Sequence, residues 1–285
     1  MTRLDLTWTL PPEHPARDHR QVHVWRTALD LPASCVQALA GMLERGELER
    51  AQRFSTSEDR WRYIVARAVL RAILARYLDC QPDRVRFSRG PFGKPMVAGE
   101  SVSRGLRFNV SHAHKLALYA VSRDREVGVD LEHIRANLAT RSVAERLFSA
   151  RARAFLSSLP PGQFAEGFFT CWTRQEAYLK ARGCGLGCDG YDEPEEGSGW
   201  LVADLRPGRA TSEPSPSKES TISFIAGIGL RRPAFLGKRS VLQTNGCNKY
   251  PLPTGNRGPM VQQRSSSVRS IGRYPVSDCM LPSWR

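Results

Sequence analysis

LRFNVSHAHKLALYAVSRDREVGVDLE, residues 106–132, is the stretch that decides the fold class. Over 106–111 the apolar residues Leu106, Phe108 and Val110 alternate with other residues, the period of a strand with one buried face. Residues 115–122 (KLALYAVS) are more uniformly apolar, as a central strand is. Residues 126–132 (EVGVDLE) alternate again. Helical patterns follow at 141–148 and at 162–182, the second stopped by Gly183 and Gly185, and 200–205 reads as a further strand. Toward the N-terminus, 21–29 (QVHVWRTAL) reads as a strand, and Ser34 with Gln37 has capping-box spacing. The longest uninterrupted helical pattern of this part is 58–78, with Trp61, Ile64, Val65, Ala68, Ala72 and Leu78 near one face. A short strand at 84–88 and a turn-rich loop at 90–95 (GPFGKP) complete it. This order predicts an α+β protein, divided into an N-terminal half at 1–105 and a C-terminal half at 106–207.

Beyond residue 207 the composition changes. ATSEPSPSKES, at 210–220, has the Ser and Pro content of a linker, and only 222–230 shows convincing periodicity. Residues 208–285 carry 12 Lys and Arg against 3 Asp and Glu, a net +9, whereas residues 1–207 carry 30 against 25, a net +5. A basic tail of low order is expected over 208–285.

The whole chain of 285 residues has a net charge of +14, which raises nucleic-acid binding as a function class. Most of that charge sits in the tail, where few aromatics are interleaved for base stacking, so no nucleic-acid partner is expected. No apolar run approaches the roughly 18–20 residues of a membrane span. The N-terminus lacks the basic-then-apolar layout of a secretory signal, so a cytoplasmic protein is expected. The 7 cysteines are scattered and odd in number, against a disulfide framework, and Cys184 and Cys188 lack further zinc ligands nearby.

Three places carry chemistry. In a strand over 126–132, Val127, Val129 and Leu131 share one face, and Gly128, Asp130 and Glu132 share the other. Two neighbouring carboxylates repel each other unless neutralised, and carboxylate oxygens with substrate phosphates are the usual magnesium arrangement. A solvated strand face has the same pattern. On the later helix Phe168, Trp172 and Glu176 form a row four residues apart, and Lys180 is one turn further. Glu176 and Lys180 fit an ordinary ion pair, or a base and a phosphate-binding cation. At 109–112 (NVSH) a strand enters a turn with Ser111 and His112 as potential phosphate donors. Lys94 lies in a tight loop without the pattern of a P-loop.

Taken in order, FGKP at 92–95, FNVSHA at 108–113, VGVDLE at 127–132 and CWTRQEAYLKARGCGL at 171–186 resemble the Sfp-type 4′-phosphopantetheinyl transferases. ERAQRFSTSEDRWRYIVARAVLR at 49–71 is similar to the family as well, and the resemblance spans roughly 44–205. It implies two similar α+β halves in pseudo-two-fold arrangement, with coenzyme A between them. It implies magnesium on Asp130, Glu132 and Glu176, and coenzyme A contacts from Lys94, Ser111, His112 and Lys180. Arg62, with Arg53 and Arg50, matches positions near the 3′-phosphate and adenine end. Glu176 and Lys180 are the implied catalytic residues, and the implied protein substrate is an acyl or peptidyl carrier protein met by a monomeric enzyme. The family also has a final strand that is not visible directly after Pro207-Gly208. That gap leaves a non-catalytic coenzyme A-binding homologue with an incomplete sheet as the alternative, unless 222–230 supplies the strand.

Overall fold

The structure is a computed structural model, and it describes residues 3–4, 15, 19, 21–90, 92–99, 105–184, 194, 198–205, 224–231 and 268–273. In chain order the strands are β1 (Arg3–Leu4), β2 (Val22–Ala28), β3 (Phe87–Arg89), β4 (Pro95–Val97), β5 (Leu106–Ala113), β6 (Leu116–Arg123), β7 (Val127–His133), β8 (Trp200–Leu205), β9 (Phe224–Arg231) and β10 (Val268–Arg273). The helices are α1 (Ala33–Ala40), α2 (Arg45–Ala51), α3 (Ser57–Leu78), α4 (Arg141–Leu147), α5 (Ala150–Ser157) and α6 (Phe164–Arg182). None of the described helices is long and apolar enough to cross a membrane.

Strand alternation builds four layers. One sheet has the order β10-β2-β6-β5, the other β1-β8-β9-β7, and β3-β4 is a separate hairpin. On β6, Ala117, Tyr119 and Val121 pack with Val65, Val69 and Ile73 of α3. Leu116, Leu118 and Ala120, on the opposite face, pack with Val127, Val129 and Leu131 of β7 and with Ala203 and Ile228. All eight residues of β6 are buried because it is covered on both faces and paired on both edges, which is why its sequence does not alternate. The second sheet carries α6 on its other face, and α4 and α5 pack on α6 through Phe148, Leu156, Phe168 and Phe169.

The helices follow from local chemistry. Thr56 caps α3 by accepting from the Asp59 N–H at 3.1 Å, and Asp79 ends it in the left-handed region at φ 58°. Glu44 and Glu47 form a capping box on α2, and the fully buried Arg71 of α3 bonds both carboxylates and the carbonyls of Pro82 and Val85. Among the described cysteines, Cys80, Cys171 and Cys184 form no disulfide and Cys35 is disulfide-bonded, a bond the odd count did not suggest.

Two expected boundaries move. Strands β5 and β6 belong with β2: β6 pairs antiparallel with β2 on one edge and β5 on the other. The first half therefore takes in 106–123, and the halves meet between β6 and β7 instead of at 105/106. The second half, in turn, does not end at 207. Strand β9 lies between β7 and β8, antiparallel to both, with Ile228 opposite Val129 on one side and Ala203 on the other. The periodic stretch at 222–230 thus supplies the strand that was not visible after Pro207-Gly208. The remainder of the expected low-order tail, at 208–223, 232–267 and 274–285, lies outside the described residues.

Truncation after Pro207 removes β9 and leaves β7 and β8 without their common partner. Expected is loss of cooperative thermal unfolding, or a sharply lowered Tm; an unchanged melt would refute the placement of β9. Arg71 also hydrogen-bonds Glu44 and holds its carboxyl below the usual carboxylate range against the opposing effect of burial. Such a group stabilises the fold above its ordinary value of 4.5 and loses that contribution as pH falls through the lowered value. Glu44→Gln should flatten the fall of Tm between neutral and acid pH, and an identical acid slope would remove Glu44 from the acid response.

Candidate active site

The site lies where α6 crosses β7. Gly128 makes that crossing possible: a Cβ there would overlap the Ala177 carbonyl oxygen and the Ala181 backbone nitrogen. With the helix backbone down on Gly128, the neighbouring residues of the same strand face, Asp130 and Glu132, lie beneath α6. That face is covered by a helix and is not solvated. Asp130 is 3% exposed.

Asp130 receives the densest set of contacts. Its Oδ1 accepts from Ser111 Oγ at 3.1 Å and pairs with Lys180 Nζ, while its Oδ2 is buried with no partner. Lys180 also donates to Ser111 Oγ at 3.2 Å. Glu176, one turn earlier on α6, keeps its Oε1 buried and unpartnered. Burial and then the Asp130 charge push the Glu176 carboxyl up, against the pull of Lys180. Burial and Asp130 likewise raise Glu132, opposed by a hydrogen bond from Trp172 and by Arg135 and Lys180. Trp172 therefore serves Glu132 rather than simply extending an aromatic row. The structure brings Asp130, Glu132, Glu176, Lys180 and Ser111 together.

Strand β5 fixes β7 from the adjoining sheet. The edges of β5 and β7 meet without backbone pairing, and side chains of β5 take the place of the ladder. Val129 N–H donates to Asn109 Oδ1 at 2.9 Å, and Leu131 N–H donates to Ser111 Oγ at 3.2 Å. Asp130 sits between these two anchors. Asn109 and Gly128 are the functional positions that sequence reasoning missed, although both lie inside the quoted motifs.

Other expected contacts are not available as drawn from sequence. Lys94 is saturated: its ammonium donates to Glu126 Oε2 at 2.9 Å, Val127 O at 3.2 Å and Ala181 O at 3.0 Å. It ties the β3–β4 loop to β7 and the end of α6. Arg62 is held by Asp30, with Nε to Oδ1 at 2.7 Å, and Lys115 approaches the same carboxylate at 3.5 Å. It lies apart from the carboxylate cluster, in an ion pair rather than free for a phosphate. His112 is exposed and lines a cleft of about 160 Å³ with Tyr63, Arg67, Phe108 and Asn109. Arg50 and Arg53 are exposed beyond the Tyr63 end of that cleft, Arg50 lying 5.7 Å from the Tyr63 ring centre. The C-terminal end of the fourth motif, Gly185 and Leu186, lies outside the described residues.

Among the described residues no three Asp, Glu, His or Cys side chains converge closely enough to form a ready metal cluster. The buried, unpartnered oxygens of Asp130 and Glu176 nonetheless fit a cation, because each is an acceptor removed from water without a proton donor.

Comparison with known proteins supplies the family. Residues 32–124 match the family described as 4′-phosphopantetheinyl transferase, N-terminal, and residues 126–213 match the 4′-phosphopantetheinyl transferase superfamily. The chain is 42% identical over 183 residues to the 4′-phosphopantetheinyl transferase HetI of Nostoc sp., covering 64% of this chain and 77% of that one. The chain belongs to the 4′-phosphopantetheinyl transferase superfamily. It is also 34% identical over 166 residues to a putative 4′-phosphopantetheinyl transferase of Synechocystis sp., covering 58% of this chain and 66% of the relative. With the L-aminoadipate-semialdehyde dehydrogenase-phosphopantetheinyl transferase of Xenopus laevis it shares 30% identity over 167 residues, 55% of this chain and 52% of the relative. The two matched segments meet at 124/126, where the transferase passes from β6 to β7 and from one sheet to the other.

Asn109→Ala leaves the Val129 N–H buried without its acceptor, at a cost of about 1–3 kcal/mol. Urea unfolding reads that loss. Asn109→Asp, which keeps an acceptor oxygen, should recover part of it, and two equally stable variants would refute the bridging role.

Proposed function

We propose that this transferase moves the 4′-phosphopantetheine group of coenzyme A onto a serine of an acyl or peptidyl carrier protein, with magnesium held by Asp130, Glu132 and Glu176. The observation that carries the residue assignment is the pair of buried oxygens, Asp130 Oδ2 and Glu176 Oε1, left without partners at the crossing of α6 and β7. Membership in the superfamily supports the reaction.

In this reading the carrier serine oxygen forms a bond to the β-phosphorus of coenzyme A. The bond from that phosphorus to the bridging oxygen breaks, and 3′,5′-ADP leaves with the bridging oxygen. A divalent cation bound at the carboxylates supplies positive charge to the diphosphate as that bond breaks. Glu176, raised by burial and by Asp130, takes the serine proton, since a carboxylate made more basic by its surroundings is the better proton acceptor. Lys180 presents an ammonium to the phosphate oxygens from the open side of the cluster. Ser111 holds Asp130 Oδ1 and Leu131 N–H, so Asp130 keeps its orientation. His112, exposed at the mouth of the neighbouring cleft, offers a further donor to phosphate. The alternative of an inactive homologue rested on a missing strand, and β9 occupies that place.

Mass spectrometry of apo-carrier proteins incubated with the enzyme, coenzyme A and magnesium tests this reading. Expected is a carrier heavier by one phosphopantetheine group, and no modification of any carrier tested at saturating magnesium would count against it. Asp130→Ala should abolish transfer while the fold persists. Glu176→Gln should lose at least about 10²-fold in turnover and retain coenzyme A binding. A near-wild-type rate for Glu176→Gln would return that residue to an ion-pair role with Lys180.

A further inference from the structure

Lys180 occupies one oxygen of the carboxylate assigned to the metal. Its ammonium pairs with Asp130 Oδ1 and donates to Ser111 Oγ, the hydroxyl that also donates to that carboxylate. The other Asp130 oxygen, 97% of the residue being out of solvent, has no partner. Glu176 Oε1 is in the same condition. With all groups ionised, Asp130, Glu132 and Glu176 set three negative charges against the ammonium of Lys180 and the exposed guanidinium of Arg135, 3.8 Å from Glu132, so the cluster keeps a net negative charge that suits a divalent cation.

Two cations cannot share one carboxylate without repelling each other. Lys180 also differs from the carboxylates in accessibility: its side chain is 31% exposed, against 4% for Asp130, and a four-carbon stem allows its head to turn outward. Asp130 is fixed by β7 and Ser111, so the ammonium is the partner able to leave.

We propose that Lys180 is the resident counter-ion of Asp130 in the metal-free transferase, and that a divalent cation displaces it and frees the ammonium for the substrate diphosphate. Metal and diphosphate then bind with positive coupling carried by Lys180. Without metal, a diphosphate meets an ammonium already committed to Asp130 and two further carboxylates. With metal, the same opening offers a metal ion and a released ammonium. Linkage requires the effect to be reciprocal, so coenzyme A tightens metal binding by the factor with which metal tightens coenzyme A. The inference rests on the reading of Asp130 as a metal ligand.

The test is calorimetric titration of magnesium chloride into the full chain, with and without saturating coenzyme A and with no carrier protein present. Wild type, Lys180→Met and Arg135→Met are compared. Arg135, whose guanidinium is 3.8 Å from Glu132, gauges the general effect of removing a nearby positive charge. Expected for wild type is magnesium affinity raised about 10-fold or more by coenzyme A, within the usual range of coupling. Lys180→Met, free of the competing ammonium, should bind magnesium several-fold more tightly than wild type when coenzyme A is absent, and the gain from coenzyme A should shrink. Arg135→Met should change neither quantity by as much. In melting experiments Lys180→Met should be less stable than wild type without metal, because Asp130 is left buried and unpaired, and magnesium should restore it. Should Lys180→Met not fold without metal, recovery of the wild-type melt in magnesium supports displacement, and failure to recover overturns it. Magnesium and coenzyme A both binding to wild type, with Lys180→Met no tighter for magnesium than wild type or Arg135→Met, overturns this inference alone. No magnesium binding by wild type in either condition overturns the metal reading and this inference with it.

Discussion

The approach of α6 to β7 at Gly128 is the constraint on which the site depends. A helix normally rests on a sheet through its side chains. Here the helix backbone occupies the volume of a missing Cβ, which brings the crossing closer than two side-chain layers allow. Glu176 and Lys180 reach Asp130 because Ala177 and Ala181, on the same helix, are small and lie against that glycine. Lys94 secures the arrangement from outside by joining the carbonyls of Val127 and Ala181, one from the strand and one from the helix. Arg174 and Asp204 add a bidentate pair at 2.7 Å and 2.7 Å between α6 and β8.

That closeness is bought with electrostatic stress. Three carboxylates meet between α6 and β7, two of them, Glu132 and Glu176, with pKa values raised by burial and by Asp130. Those two weaken the metal-free fold, because each is worse off ionised there than in the unfolded chain. Stability comes from elsewhere: the two-faced packing of β6, the cores on either side of it, and the Arg71 network that joins α2, α3 and the segment after α3. The site and the scaffold are thus divided between residues that strain the structure and residues that sustain it.

The elements of this fold were largely legible in the sequence, and their neighbours were not. Periodicity located the strands at 106–111 and 126–132 and the helix at 58–78, because each buries one face, and uniform apolarity located 115–122, which is buried on both. It does not record which strand pairs with which. Strands 106–113 and 116–123 were therefore joined to the strand that follows them, although 106–113 pairs with 116–123 and that strand pairs with β2. Strand β9 was obscured by the Ser- and Pro-rich stretch before it. For the site, the family motifs named Asp130, Glu132, Glu176, Lys180 and Ser111, which the fold places around the crossing of α6 and β7. The strand pattern of Asp130 and Glu132 alone did not separate a solvated face from one covered by α6, since both alternate. The partners of Lys94 and Arg62 were not legible, because their acceptors, Glu126 and Asp30, stand 32 residues away and leave no local signal.

Strand β9 also sets an order of events during synthesis. Helix α3 and strands β2, β5 and β6 are complete by residue 123, so three strands of the first sheet can close on their helix while the rest of the chain is still in the ribosome, with β10 joining β2 only at the end. Strand β7 emerges next but waits for a partner that begins at Phe224. At roughly 5–20 residues per second, that interval lasts several seconds. Throughout it the nascent chain presents an apolar, unpaired strand edge next to its future catalytic carboxylates, an open template for pairing with other chains. The site around β7 therefore becomes native only after β9 has arrived, and the interval before it is when a chaperone would matter most.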